Sequence, residues 1–236
     1  MLRRMKIVVL VAGMNSPSNS ELLADKYIEG IKSVEGADVH KFLVRDIPLP
    51  HFTVPDYDHE ENATKEFKEV RELIKAADGV VIATPVWNFS VPAHLKNFID
   101  WMGTFGLDQE THSKGTFNAK PFALIHTGGA PMIAWKALMY LTTLHLPEAI
   151  KYYGGTVTLR HFEPKCVEGK GKFGLVVDKR PATLENMKRK GAQFAKTAKE
   201  YKEKGRLHGT QAFRYKFFTF LYRVGNRIMY PISTRQ

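Results

Sequence analysis

Five short strand-like segments, the first, third and fourth of them mostly apolar, recur along the chain, and between them apolar residues return every three or four positions. The runs Lys6–Ala12, Ala37–Val44, Gly79–Ala83, Pro121–His126 and Gly155–Phe162 are too short for buried helices and predict strands. Ser20–Val34 carries Leu22, Leu23, Tyr27, Ile31 and Val34 at helical spacing, and Thr64–Ala77 carries Phe67, Val70, Leu73 and Ile74. Leu95, Phe98, Ile99 and Met102 mark a third helix, Met132–His145 a fourth, and Thr183–Lys204 a long basic one. A loop with Pro and His, Asp46–Glu60, interrupts the rhythm. Alternating strand and helix predicts an α/β fold, a parallel sheet with helices on both faces.

Composition narrows the class. At 236 residues the chain can bury one full core. Its single cysteine, Cys166, excludes an intrachain disulfide and makes a reducing cytoplasm the expected setting. The basic start Met1–Lys6 precedes an apolar run too short for a secretory core, so strand is the better reading than signal peptide. No apolar stretch approaches the ~20 residues that span a bilayer. The net charge of +11 is local: residues 187–236 hold 13 Lys and Arg against 2 acids, and the rest is balanced at 22 against 22. The core is therefore neutral, and a nucleic-acid partner is not expected.

Three loops carry the chemistry. After the third strand run comes Thr84-Pro85-Val86-Trp87-Asn88-Phe89-Ser90-Val91-Pro92. Open α/β sheets bind ligands at the carboxyl ends of their strands, and aromatic and amide groups there suit a flat, partly polar ligand. The loop Gly13-Met14-Asn15-Ser16-Pro17-Ser18-Asn19-Ser20 lies between the first strand and its helix, where backbone N–H groups and the helix dipole favour an anion. Simple helix capping by Ser and Asn is the competing reading. The loop Thr127-Gly128-Gly129 follows the fourth strand, with glycines that permit close backbone approach.

The segment Thr84–Trp101 closely resembles the flavin-ring loop of the NADPH-dependent FMN reductase family of flavodoxin-like proteins, T-P-E-Y-N-x-S-x-P-x-x-L-K-N-x-I-D-W. Thr84, Pro85, Asn88, Ser90, Pro92, Leu95, Lys96, Asn97, Ile99, Asp100 and Trp101 match; Val86 stands in place of Glu and Trp87 in place of Tyr. Ser18-Asn19-Ser20 is similar to the end of the family's phosphate loop G-S-x-R-x-x-S-N-T. Met14 there replaces a Ser, the arginine is missing and the loop is one residue shorter. Thr127-Gly128-Gly129 resembles the S-T-G-G segment along the flavin ring, with His126 where small residues are common. The resemblance covers roughly residues 5 to 160. It implies a flavodoxin-like three-layer sandwich with strand order 2-1-3-4-5 and FMN as cofactor. It also implies NADPH or NADH as electron donor, and a quinone, flavin, azo or similar acceptor.

The implied FMN contacts are Met14, Asn15, Ser16, Ser18, Asn19, Ser20, Pro85, Val86, Trp87, Asn88, Phe89, Ser90, Thr127, Gly128 and Gly129. The flavin carries the reaction, so no catalytic side chain is expected. A flavodoxin-type electron shuttle is the alternative. The histidines show no metal-ligand spacing, and Cys166, without a nearby His-Asp pattern, reads as inert. Lys96 and Asp100 read as a helical i,i+4 ion pair.

A flavodoxin-like domain is expected over residues 1–206 and a basic, aromatic extension over 207–236. In the extension, Phe213, Phe217, Phe220, Leu221, Val224 and Ile228 form one stripe flanked by Lys216, Arg223 and Arg227. Packing onto protein, preferably a neighbouring subunit, is the expected fate of that stripe, with an anionic membrane surface as the rival. The family resemblance implies a homodimer or homotetramer.

Overall fold

The computed structural model describes residues 4–229 apart from Gly171; the side chains of Glu60, Arg223 and residues 226–229, and with them the expected roles of Arg223, Arg227 and Ile228, lie outside the described residues. Five strands, β1 (Met5–Val11), β2 (Ala37–Leu43), β3 (Gly79–Pro85), β4 (Pro121–Thr127) and β5 (Thr156–Glu163), form one sheet in the order β2-β1-β3-β4-β5. Every pairing is parallel; Val9 lies opposite Lys41 on one side and Val81 on the other. This is a flavodoxin-like fold, and its strand order reverses between β1 and β3, where such sheets open a crevice.

The two faces of the sheet bury different residues of the same strands. Val8, Leu10, Val80, Ile82, Phe122 and Leu124 pack against α2 (Lys65–Ala76), α3 (Ala93–Gly106) and α4 (His145–Tyr152). Ile7, Val9, Val11, Val81 and Ile125 pack against α1 (Asn19–Lys32) and α5 (Pro181–Lys204). Alternation within each strand thus feeds two cores, as a parallel sheet covered on both sides requires. Helices α1 and α5 touch backbone to backbone. A Cβ on Gly30 would overlap the Lys188 carbonyl oxygen, and one on Gly191 the Tyr27 carbonyl oxygen.

The loop 46–60 is not featureless. It contains the 3₁₀ turn Val54–Tyr57, whose cap Thr53 donates through N–H and Oγ1 to Asp56 Oδ2 at 2.7 and 2.8 Å. Helix α3 pins this loop: Asn97 Nδ2 and Trp101 Nε1 donate to the Pro50 carbonyl at 2.9 and 3.0 Å, and Asn97 Oδ1 accepts from Phe52 N–H. Asn97 and Trp101 are therefore scaffold residues.

The expected helix Met132–His145 is corrected. Its first part is a helical run through Met132–Ala134, a π-helical turn Trp135–Met139 and Tyr140–Thr142. Pro147 explains the break at residues 143 and 144, because its ring would collide with the carbonyl four residues earlier in a continuous helix. It is accommodated only in the first turn of the new helix α4. Within the region expected to be a C-terminal extension, Gly209–Met229 forms α6. Phe218 sits beneath the Lys151 ammonium, 3.8 Å from ring centre to nitrogen, and Tyr222 lies 5.7 Å from Tyr152.

Candidate functional site

The first, ring and third loops meet in one cleft at the carboxyl ends of β1, β3 and β4. Its walls include Gly13, Met14, Asn15, Ser18, Asn19 and Ser20 from the first loop, Pro85, Val86 and Trp87 from the second, and Thr127, Gly128 and Gly129 from the third. Of the residues expected at the site, Ser16, Asn88, Phe89 and Ser90 do not line it.

The first loop ends on helix α1, whose opening N–H groups have no carbonyl one turn back to bond to. Ser18 is the N-cap, its Oγ accepting from Glu21 N–H at 3.4 Å, and Ser20 Oγ lies 3.0 Å from it. Capping and anion binding are thus compatible readings of one serine pair. Gly13 is required by the close approach: a Cβ there would overlap Ser18 Oγ and lie 2.5 Å from Ser20 Oγ. The side chain of Asn19 is committed elsewhere. Its Nδ2 donates to the Gly174 carbonyl at 2.8 Å, and its Oδ1 accepts from the N–H groups of Val176 and Val177. Asn19 therefore offers the cleft its backbone and fixes a distant loop with its side chain.

The ring loop is shaped by a tight turn. Trp87 and Ser90 exchange backbone hydrogen bonds of 2.8 and 2.9 Å across Asn88 and Phe89. Both central residues have positive φ, 47° and 67°. Asn tolerates that region, whereas for Phe89 it carries strain. This turn directs Asn88 and Phe89 outward and leaves Trp87 at the cleft. Behind Trp87 stands His94, centroids 6.5 Å apart, with Nε2 donating to the Ala12 carbonyl at 3.1 Å. A carbonyl only accepts, so Nε2 carries the proton; burial holds the pKa of His94 below its usual value.

Two elements of the site have no local sequence signal. Arg45, just past β2, donates from Nη1 to the Gly13 carbonyl at 3.0 Å and so braces the first loop, which lacks an arginine of its own. The loop after β5 forms a fourth wall through Cys166, Val167, Phe173 and Gly174. It is tied to the third loop by Cys166 N–H donating to the Gly128 carbonyl at 2.9 Å, and to α1 by Asn19. Phe173 stands at the cleft mouth with 76% of its surface exposed. Cys166 itself is buried, and burial pushes its thiol up to about 11. Little thiolate exists at neutral pH, in keeping with an inert cysteine. Lys96 and Asp100 form the exposed i,i+4 pair, 2.6 Å apart.

His126, beside the third loop, faces away from the cleft. Its ring lies 5.4 Å from Trp135, which stacks on Phe162 at 4.1 Å and 3°. Burial, then the nearby Arg160 guanidinium, lower its pKa to about 3. The Phe162 ring leaves no room for a side chain on Gly128, where a Cβ would lie 2.8 Å from it.

The described residues contain no group of three or more His, Cys, Asp or Glu that could hold a metal, and no helix long and apolar enough to cross a membrane. The donor set suits a different ligand. Two hydroxyls and a helix N-terminus fit a phosphate monoester, and a wall of Trp87, Val86 and flat glycine backbone fits a planar ring.

Residues 5–159 match the family model for NADPH-dependent FMN reductase. An FMN-dependent NADH:quinone oxidoreductase from Alteromonas mediterranea is 23% identical over 57% of this chain and 70% of its own length. A protein of the same name from Marinomonas sp. is 33% identical over 49% of this chain and 68% of its own. A quinone reductase from Escherichia coli is 46% identical, over 25% of this chain and 30% of its own. Among solved structures, an NAD(P)H:quinone oxidoreductase from Methanothermobacter marburgensis aligns with a TM-score of 0.63 at 17% identity, covering 81% of this chain and 97% of that one. An FMN-dependent NADH-azoreductase from Bacillus anthracis, in complex with FMN, aligns with a TM-score of 0.60 at 16% identity, covering 81% and 98%. At these identities the structural likeness is one of fold.

Proposed function

We propose, because this chain belongs to the NADPH-dependent FMN reductase family, that its cleft takes up FMN and that it uses NADPH or NADH to reduce a quinone, flavin, azo compound or similar small acceptor. The chain is a flavin oxidoreductase; the identity of the acceptor and the residue roles are the proposed part. The observation that carries this reading is the convergence of the three loops on one cleft. Bound there, the flavin would supply the redox centre, which the side chains of the cleft do not provide.

Each loop then has one task. Ser18 and Ser20 hydroxyls and the first N–H groups of α1 hold the phosphate, with Arg45 keeping Gly13 in place. Trp87, backed by His94, walls one edge of the ring, and the backbone of Thr127–Gly129 lies along another. Phe173 partly covers the mouth and limits water without sealing the path for a nicotinamide. An electron shuttle between proteins is the weaker reading, since the curated relatives above are named as quinone reductases. A cytoplasmic location and a homodimer or homotetramer belong to the same proposal. Ile133, Leu138 and Leu141, exposed in the helical run after the third loop, offer apolar surface beside the site to a second copy. Sedimentation velocity showing a fully active monomer would remove that part.

Trp87→Ala and Phe173→Ala test the assignment of roles. Trp87→Ala is expected to weaken FMN binding about tenfold, on the order of 1.4 kcal/mol. Phe173→Ala is expected to leave FMN affinity within about threefold and to change the KM for nicotinamide or acceptor instead. Flavin affinity untouched by both substitutions, measured by fluorescence titration, would place the ring elsewhere.

A further inference from the structure

Helix α6 has two faces of different fate. Residues 212, 215, 218, 219 and 222 are half-buried, and Phe218 and Tyr222 of that set rest on α4. The opposite face, Phe213, Phe217, Phe220, Leu221 and Val224, points to solvent, with Phe213 exposed to 70% and Phe220 to 62%. So the aromatic stripe expected to pack on protein is the face the subunit itself leaves uncovered. Arg214 and Lys216 are exposed beside it.

Charge decides what covers this face. No Asp or Glu occurs after Glu203, whereas Lys204, Arg206, Arg214, Lys216, Arg223, Arg227 and Arg235 follow it. A second copy docked through the same face of a two-fold dimer would bring two cationic, acid-free helices together. Nucleic acid would meet the cations but leave five large apolar side chains without a function. An anionic bilayer satisfies both halves: apolar rings enter the interface while basic residues meet lipid phosphates. The helix is not apolar enough to span the membrane, which fits one lying in its plane.

We propose that α6 attaches this protein peripherally to anionic lipid surfaces through Phe213, Phe217 and Phe220, with Arg214 and Lys216 supplying the attraction. The attachment is independent of the cleft's chemistry.

The test is co-sedimentation of the full chain with vesicles of phosphatidylcholine alone or with phosphatidylglycerol added. Binding is expected only to the anionic vesicles. It should fall as salt rises and the screening length drops from about 10 Å at 0.1 M to about 3 Å at 1 M. The triple variant Phe213→Ser/Phe217→Ser/Phe220→Ser and, separately, Arg214→Glu/Lys216→Glu should each weaken partitioning about tenfold or more. Both should keep wild-type melting, flavin content and nicotinamide oxidation in lipid-free buffer. No binding by the wild type, or undiminished binding by the triple variant, overturns the proposal. So does a triple variant whose mass in lipid-free buffer drops to a smaller oligomer, because a second copy then covers the face. A chain that binds these vesicles yet takes up no flavin supports the attachment and refutes only the reading of the cleft.

Discussion

Acidification from pH 7 to pH 5 is expected to destabilise the folded protein by about 2 kcal/mol through His126 alone. The folded state keeps this imidazole neutral down to about pH 3, because burial and the Arg160 guanidinium disfavour its charged form, whereas the unfolded chain takes up the proton near 6.5. Between those values the unfolded state binds more protons. The contribution of His126 to stability is therefore fully present above about pH 6.5 and is lost progressively as pH falls towards 3. His161 and His145 lie near enough to add to the repulsion. His94 and His145 are shifted downward as well, so they steepen the same slope. His126→Phe keeps an aromatic ring against Trp135 and removes the titration. Urea unfolding at pH 7 and pH 5 should show the variant losing about 2 kcal/mol less than the wild type over that interval. An equal loss in both would show that His126 titrates normally.

The second expectation concerns the anion cradle. Gly13→Val should weaken FMN binding at least about a hundredfold, or about 2.7 kcal/mol, while the protein still melts cooperatively. The backbone at Gly13 does not need glycine for its φ; the space does, since a side chain must displace both Ser18 Oγ and Ser20 Oγ. Moving Ser18 also removes the N-cap of α1, worth about 1 kcal/mol of stability. Gly169→Ala, at a position where a Cβ meets open space, is the control and should leave binding unchanged. FMN fluorescence quenching measures both. An affinity for Gly13→Val within about threefold of the wild type would take the phosphate away from this loop.

The three central strands β1, β3 and β4 are readable as compact apolar runs, whereas the edge strands β2 and β5 mix apolar with charged residues; the helices are readable because their apolar residues keep a helical period. The strand order came from the likeness of Thr84–Trp101 to a family loop, since periodicity says nothing about which strands are neighbours. The three cleft loops were legible for a local reason: glycine, serine and proline cluster where strands end. What stayed hidden is long-range. Asn19 looks like a phosphate donor in sequence, but its side chain holds Gly174, Val176 and Val177, more than 150 residues away. The fourth wall from Cys166 to Gly174 lies beyond the roughly 160 residues that the resemblance covers, and it depends on that tether. Arg45 reaches the first loop from the end of the neighbouring strand, so a search of the loop itself finds no cation. Asn88 and Ser90 match the family loop, and the backbone bonds between Trp87 and Ser90 across Asn88 and Phe89, invisible in the sequence, shape the turn that presents Trp87. The expected helix Met132–His145 breaks at residues 143 and 144 because Pro147 fits only in the first turn of a new helix that begins at His145.

The absorption spectrum of the purified full-length protein, followed by acid release and chromatography of whatever colours it, tests the cleft assignment most directly. One FMN per chain, present on purification or taken up from solution, and bleached anaerobically by NADH or NADPH, is the expected result. A colourless protein that stays so after FMN is added, or one that carries FAD in stoichiometric amount, would contradict it.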